Sequence, residues 1–583
     1  MAPIAPRRAM PNRPTLASSP PAATTAGAAW RRSMRARHAL AAAGALLAVA
    51  CTAPRGHDPS AGAPTAAALG RVHFAVSTKS ATAQQLFDQG LAWCYGFHHD
   101  EAMRCFRAAL AADPSLAMAH WGLAYAAGPH INNMAMSAEA NALAAKASAL
   151  AASLAAGATP VEQALIAAVA RRYAVPPPAD RAALDRDYAA AMRAVHAEHG
   201  ADPHIAALFA EALMNLRPWD LWQSDGSPQP GTDEVLAVLE RLLAAHPAHP
   251  QGNHLYIHAV EASPQPERAL PCAERLVDLA PASGHLVHMP SHTFLRVGRY
   301  EDAAEANRKG IAADLAIVRR TGRVGFYEVY RAHNHHFLVY AAMFAGRDDE
   351  AIAAARAMVA QLPMDAVQQM PEFLEAYLAV PYHALVRFGR WRQLLDEPPP
   401  PAWQRSARAV WHYGRGVALA TLGRVDEAKA EQAAFAAALA EVPATWTLGN
   451  NPTRTVLAIG ERFLAGEIAF RAGDRDAAFA ALRAAVAAAD ALRYDEPWGW
   501  MTPPRHALGA LLLEAGDAAA AADVYRADLA QHPDNGWALH GLAECERRLG
   551  DPAAAAATTR RFEQAWRHAT VRIDASCFCR RDG

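Results

Sequence analysis

At 583 residues the chain is far longer than one hydrophobic core serves, so several domains or an elongated repeat array are expected. Its 56 Lys+Arg against 57 Asp+Glu give a formal net charge of −1, and no basic stripe is interleaved with aromatics, which excludes nucleic acid as an expected partner. Charged residues are only 19%, and alanine-rich amphipathic stretches replace period-two runs of Val, Ile, Thr or aromatics, so the expected fold class is all-α.

Residues 1–33 form a Pro/Ala/Arg-rich leader, longer than export needs, and Met34 reads as the true start. Arg35, Arg37 and His38 then precede the apolar run Ala39 to Ala50. That run is too short to span a bilayer but suits the core of a signal peptide over 34–51. It ends Leu46-Leu47-Ala48-Val49-Ala50-Cys51, which is similar to a bacterial lipoprotein cleavage site with Ala48 where Leu is preferred. The alternative is ordinary secretory cleavage near Ala50. Both readings export the chain to the periplasm or cell envelope, and under the first a lipid on Cys51 is its tie to a membrane. Residues 52–75, rich in Pro, Ala, Gly and Thr, read as a flexible tether.

From residue 76 to 567 the pattern is periodic. Gly90 and Trp93 fall on one predicted helix, Ala102, Phe106 and Ala109 on the next, and Asp113-Pro114 closes the unit. The second-helix alanine recurs at Ala269, Ala303, Ala351, Ala428, Ala478, Ala521 and Ala555, mostly after a glycine turn at Gly298, Gly346, Gly423, Gly473 or Gly516. Closing prolines stand at Pro281, Pro363 and Pro533. These features resemble the tetratricopeptide repeat family. The resemblance implies a solenoid of stacked antiparallel helix pairs, with the first helix of each unit lining a concave groove for a peptide or protein partner.

Three irregular stretches interrupt the period: 215–235 with Pro218, Trp219, Trp222 and Gly226; Ala444 to Pro452; and Tyr494 to Pro504 with Trp498 and Trp500. Proline and glycine bar them from continuing a helix. Exposed indole is normally covered, so these insertions either pack back on the array or touch a ligand. Of the seven cysteines, Cys94, Cys105, Cys272 and Cys545 read as helix packing, and Cys577 and Cys579 either ligate a metal or, the favoured reading, fall in an unstructured C-terminal tail, 568–583.

Histidines give the sharpest chemical signal. Thirty-four residues, one repeat, separate His254 from His288 and His258 from His292. His254, His288, His336 and His506 each stand fifteen residues before a second-helix alanine, and His258 and His292 stand eleven before theirs. Those offsets belong to the helix face that the resemblance points into the groove. His254, His258 and Glu261 make one i, i+4, i+7 stripe, and His285, His288 and His292 make the next. Neighbouring helix axes run about 8–10 Å apart, so two stripes can share an ion. Imidazole pairs one turn apart suit a transition metal, zinc or copper above others. Three histidines with Glu261 as ligand, base or orienter leave an open coordination position. His333, His335, His336 and His383 extend the candidate set, and Asn334 is the polar neighbour singled out. Pro290 is expected to kink or start its helix, leaving His285 and His288 in the approach.

No phosphate loop, nucleophile elbow or dinucleotide fingerprint is present. The sequence therefore reads as an exported binding or scaffold protein whose histidine-rich groove holds a transition metal. The alternative is a metal-dependent oxidoreductase or hydrolase using His254, His258, His288 and His292 with Glu261.

Overall fold

The structure is a computed structural model that describes residues 67–322 and 327–580. The leader, the signal segment with Cys51 and the first part of the tether lie outside the described residues. From Ala81–Tyr95 and His99–Ala112 to Gly536–Arg548 and Pro552–Ala565, the chain is a succession of helix pairs, with one short antiparallel pairing of Thr447–Leu448 with Asn451–Pro452. The fold is a helical-repeat solenoid, as the composition predicts. Among the described residues no helix is long and apolar enough to cross a membrane.

Local chemistry sets the unit. Ser80, Thr159, Asp474, Asp517, Asn535 and Asp551 cap helix starts by accepting the backbone N–H three residues on. Gly298, Gly346, Gly423, Gly473 and Gly516 all hold positive φ, between 71° and 93°, so they close the first helix in the left-handed conformation that side chains disfavour. Close packing of the pairs follows from an aromatic lodged between two glycine notches. A Cβ at Gly90 or at Gly122 would meet the Phe106 ring at 2.6 Å, and one at Gly509 or Gly541 would meet Tyr525 at 2.5 or 2.2 Å.

The array also returns on itself. Trp537 Nε1 donates to Met343 O at 2.9 Å, Tyr300 Oη donates to Pro533 O at 3.0 Å, and Thr570 N donates to Gly346 O at 2.9 Å. The last repeats thus pack against the middle ones. Residues beyond the last helix follow this surface: Phe578 packs on Trp537, Tyr525 and Ser576 are hydrogen-bonded at 2.6 Å, and Cys577 and Cys579 form a disulfide. At the other end, Val72 and Phe74 are buried and Ala282 N donates to Ala68 O at 2.9 Å, so the end of the expected tether lies along the array.

Candidate metal centre

Two neighbouring helices carry the paired histidines. The Pro250–Val260 helix begins with His249 as cap and Pro250 in its first turn, and Glu261 follows at its end. The next stretch is Gly284–His288 followed by Pro290–Arg296, with Met289 between them at φ −50° and ψ −37°, inside the right-handed helical region. Backbone therefore stays helical past the proline, and Met289 N still donates to His285 O at 3.0 Å. Pro290 sits where a helix start has no partner for its N–H. The expected displacement of His285 and His288 is corrected: both stand on the helical run with His292, and all three are buried.

Hydrogen bonds fix the tautomers. His254 Nδ1 lies 2.8 Å from Tyr95 O, and a carbonyl only accepts, so that nitrogen carries the proton. His258 Nδ1 and His292 Nδ1 lie 2.8 and 2.6 Å from the two oxygens of Glu261. His288 Nδ1 lies 2.6 Å from Asn307 Oδ1, an amide oriented by its own Nδ2 donating to Ala303 O at 2.7 Å. In its neutral form each of these four rings presents a bare Nε2 to the interior. His288 Nε2 and His292 Nε2 are 2.8 Å apart, and His254 Nε2 and His285 Nε2 are 3.1 Å apart. His258 Nε2 has no hydrogen-bond partner among the described residues. Two lone pairs at 2.8 Å repel unless an electron-pair acceptor lies between them. Two ligands at about 2.0–2.1 Å from one ion are about 2.9 Å apart at a right angle and about 3.4 Å at a tetrahedral angle.

Electrostatics favour neutral rings. Burial, reinforced by neighbouring imidazoles, pushes His254, His285 and His288 well below the ordinary histidine range, and burial lowers His258 against the pull of Glu261. Burial alone would raise the Glu261 carboxyl, but His292 and His258 hold it well below the usual carboxylate range. Glu496 behaves oppositely: burial, then Glu261 and Asp495, push it well above. Glu496 Oε2 lies 3.2 Å from His292 Nδ1 and 3.6 Å from His333 Nε2. At this centre three sets of potential ligand atoms each fall within 4.8 Å: His254, His258 and His285; His288, His292 and His333; and His258, Glu261, His292 and Glu496; a fourth set elsewhere is Glu467 with the disulfide-bonded Cys577 and Cys579.

The insertions enclose this centre. Trp222 Nε1 donates to Ala259 O at 2.7 Å, and the Trp219 ring lies edge-on 5.1 Å from His258. Tyr494 Oη donates to Glu261 Oε2 at 3.0 Å, and Arg296 Nη1 donates to Glu261 O at 2.5 Å under the Tyr494 and Trp498 rings. Phe97 packs 4.5 Å from His254 and 5.2 Å from His285. Phe97 and Trp219 are two of four non-glycine residues with positive φ among the described residues, at 54° and 58°. Such strain on bulky residues collects at functional sites. A cavity of about 870 Å³ reaches His258 and Glu261 between Trp219, Trp222, Arg296 and Tyr494.

Seven sequence-predicted residues converge: His254, His258, Glu261, His285, His288, His292 and, from the extended set, His333. His336 stands outside these sets; it packs edge-on to Tyr377 at 5.3 Å and feels His383. His333, three residues back along the helix, takes the place beside His288. Asn334 Nδ2 donates to Asp314 Oδ2 at 2.9 Å instead of reaching the rings. Sequence reasoning missed the roles of Glu496, Tyr494, Asn307 and the Tyr95 carbonyl. The aromatic insertion was visible, but nothing local tied Glu496 to a histidine 204 positions earlier.

Fold and site together define a helical-repeat protein with a closed, histidine-lined interior. A tetratricopeptide repeat family model matches residues 512–561, one stretch near the C-terminal end of the array. No curated protein matches it. Among solved structures it is similar to human IFIT1 dimer with m7Gppp-AAAA, at 11% identity and TM-score 0.30, covering 85% of this chain and 91% of that one. It is also similar to the APC/C hetero-tetramer Cut9-Hcn1 (12%, TM-score 0.27, 84% and 74% covered) and to yeast Tom70 (12%, TM-score 0.26, 85% and 93% covered). Likeness this loose says nothing of what the chain binds.

Proposed function

We propose that this repeat protein is a transition-metal protein, with metal held by imidazoles from among His254, His258, His285, His288 and His292. The carrying observation is that four rings have Nδ1 committed to a carbonyl, carboxylate or amide oxygen and turn bare Nε2 atoms toward one another, two of them 2.8 Å apart. Outer partners that fix ring orientation are the usual support of metal-bound histidine. Imidazole donors suit copper or zinc, with copper binding more tightly in general. A peptide or protein partner, which the repeats imply, has to use another surface, because the insertions cover the inner face at the histidines. Export to the cell envelope, with Cys51 as lipid anchor, belongs to the same reading. Protein purified without a histidine tag and analysed for metals should carry copper or zinc that a His258→Ala/His292→Ala variant lacks. Equal metal content in the two proteins would remove the proposal.

A second reading, metal-dependent catalysis, is favoured by the cavity that reaches His258 and Glu261. In it, Glu261 orients ligands or accepts a proton from a bound small molecule. The test is whether ligands that enter the cavity perturb the metal's spectrum; a spectrum indifferent to every small anion tried would count against it.

A further inference from the structure

We infer that the site holds two metal ions, each on its own triad of imidazoles, with the Glu261 carboxylate backing one ring of each triad. This rests on the metal reading above. Six histidines are more than one ion uses, since structural sites close at four ligands and catalytic ones keep about three from the protein. The six divide into two sets that share no member: His254, His258 and His285, and His288, His292 and His333.

Ring spacing alone does not draw the division, since the outer pairs of the triads, His258 with His285 and His292 with His333, stand 6.2 and 5.8 Å apart, but each triad has a central ring. His254 lies 5.0 Å from His258 and 4.9 Å from His285, and His288 lies 4.8 Å from His292 and 5.0 Å from His333. Across the divide, His258 to His292 is 5.5 Å and His285 to His288 is 5.9 Å. The short Nε2 pairs also fall one in each set.

Glu261 spans the divide. One of its oxygens faces His258 of the first triad and the other faces His292 of the second. Glu496 joins the same four-residue group and approaches both His292 and His333. Carboxylates placed so can balance the charge of two divalent ions. Three imidazoles per ion leave each a position for a small oxygen-donor ligand, and the cavity arrives at His258.

The two triads come from three consecutive first helices: Pro250–Val260, Gly284–Arg296 and Glu328–Phe344. The middle helix serves both, with His285, His288 and His292 on one stripe. Along a helix, positions three and seven residues on from His285 turn by about 300° and about 340° and rise by about 4.5 and about 10.5 Å, so the advance along the axis parts the two triads.

The experiment is a Co²⁺ titration of the full chain, stripped with chelator and carrying no histidine tag. Absorption and electron paramagnetic resonance are recorded for the wild type and for His285→Ala and His333→Ala, which remove one ligand from each triad. Far-ultraviolet circular dichroism confirms that each variant is folded. Two equivalents in the wild type, each variant retaining about one, is the expected result. One equivalent in the wild type overturns the two-ion reading and leaves the metal reading standing. Two equivalents that neither variant alters would also overturn it, and no uptake at all would remove both.

Discussion

At the scale of single residues, the tautomer of a histidine is set by what faces its other nitrogen. Asn307 illustrates this, because its only tie to the site is the oxygen it offers to His288 Nδ1. Asn307→Ala should weaken metal binding about 10–100-fold with little change in helicity, and Asn307→Asp, which keeps an acceptor, should restore much of it. Chelator-competition titration measures this; equal affinities for the Ala variant and the wild type would refute the orienting role. Glu261→Gln tests the charge that His258 and His292 both face. A loss of similar or larger size is expected, and the amide cannot accept from both rings with two oxygens. The histidines were legible in the sequence because their spacing repeats with the helical unit. Asn307 and the Tyr95 carbonyl were not, since an amide on a second helix and a backbone oxygen leave no residue-type signature. His336 shows the limit of counting offsets: one helix step of three residues turns it from His288 toward His383, and His333 replaces it.

At the scale of elements, helix contact depends on what is missing from the surface. A Cβ at Gly284 would meet Asp314 Oδ1 at 1.8 Å, and one at Gly310 would meet Gly284 O at 2.9 Å and His288 Cβ at 3.3 Å. The long Tyr300–Thr321 helix therefore reaches the histidine helix through glycine. Gly284→Ala should destabilise the protein by about 1–3 kcal/mol through overpacking. Gly157→Ala, with nothing within 4 Å of its Cβ, should be close to neutral. Urea unfolding compares them, and equal midpoints would show that the contact yields. The helix pairs and glycine turns were legible because small residues and turn formers recur at fixed places. The path through Pro290 was not, because the same proline kinks one helix and starts another, and only the backbone around Met289 decides.

At the scale of the whole molecule, an ordinary solenoid has contacts only between neighbouring units and can unravel piecemeal. Here the Trp537 indole reaches Met343 O and is covered by the Arg387 guanidinium at 3.5 Å from its ring centre. Residues some two hundred positions apart are thereby tied, so unfolding should be cooperative across the tied repeats. Trp537→Ala should cost about 3–5 kcal/mol and split the transition in denaturant; a parallel shift of one sharp transition would contradict that. Acid should act on the molecule broadly. Burial holds His249 and His336 at about 3, helped by a neighbouring imidazole in each case, and His383 and His532 at about 4, for His532 against the pull of Asp528. Unfolded chain takes up protons below about 6.5 where these folded sites do not, so stability is full above that pH and is lost as pH falls toward about 4 to 3. Each such histidine contributes up to about 1.4 kcal/mol per pH unit, and denaturant midpoints of metal-free protein at pH 7 and pH 5 should differ in that direction. This long-range closure was illegible in a sequence whose signals all lie within one or two repeats. It also imposes an order in time. His333, the last of the converging histidines, precedes Tyr494 by 161 residues, so a growing chain finishes its ligand helices well before it makes the cover over them. On the proposed metal reading, loading is open early and gated late: in the finished protein, metal exchange should run at the rate at which the Tyr494–Trp498 segment lifts, and raising the concentration of chelator beyond a point should not quicken it.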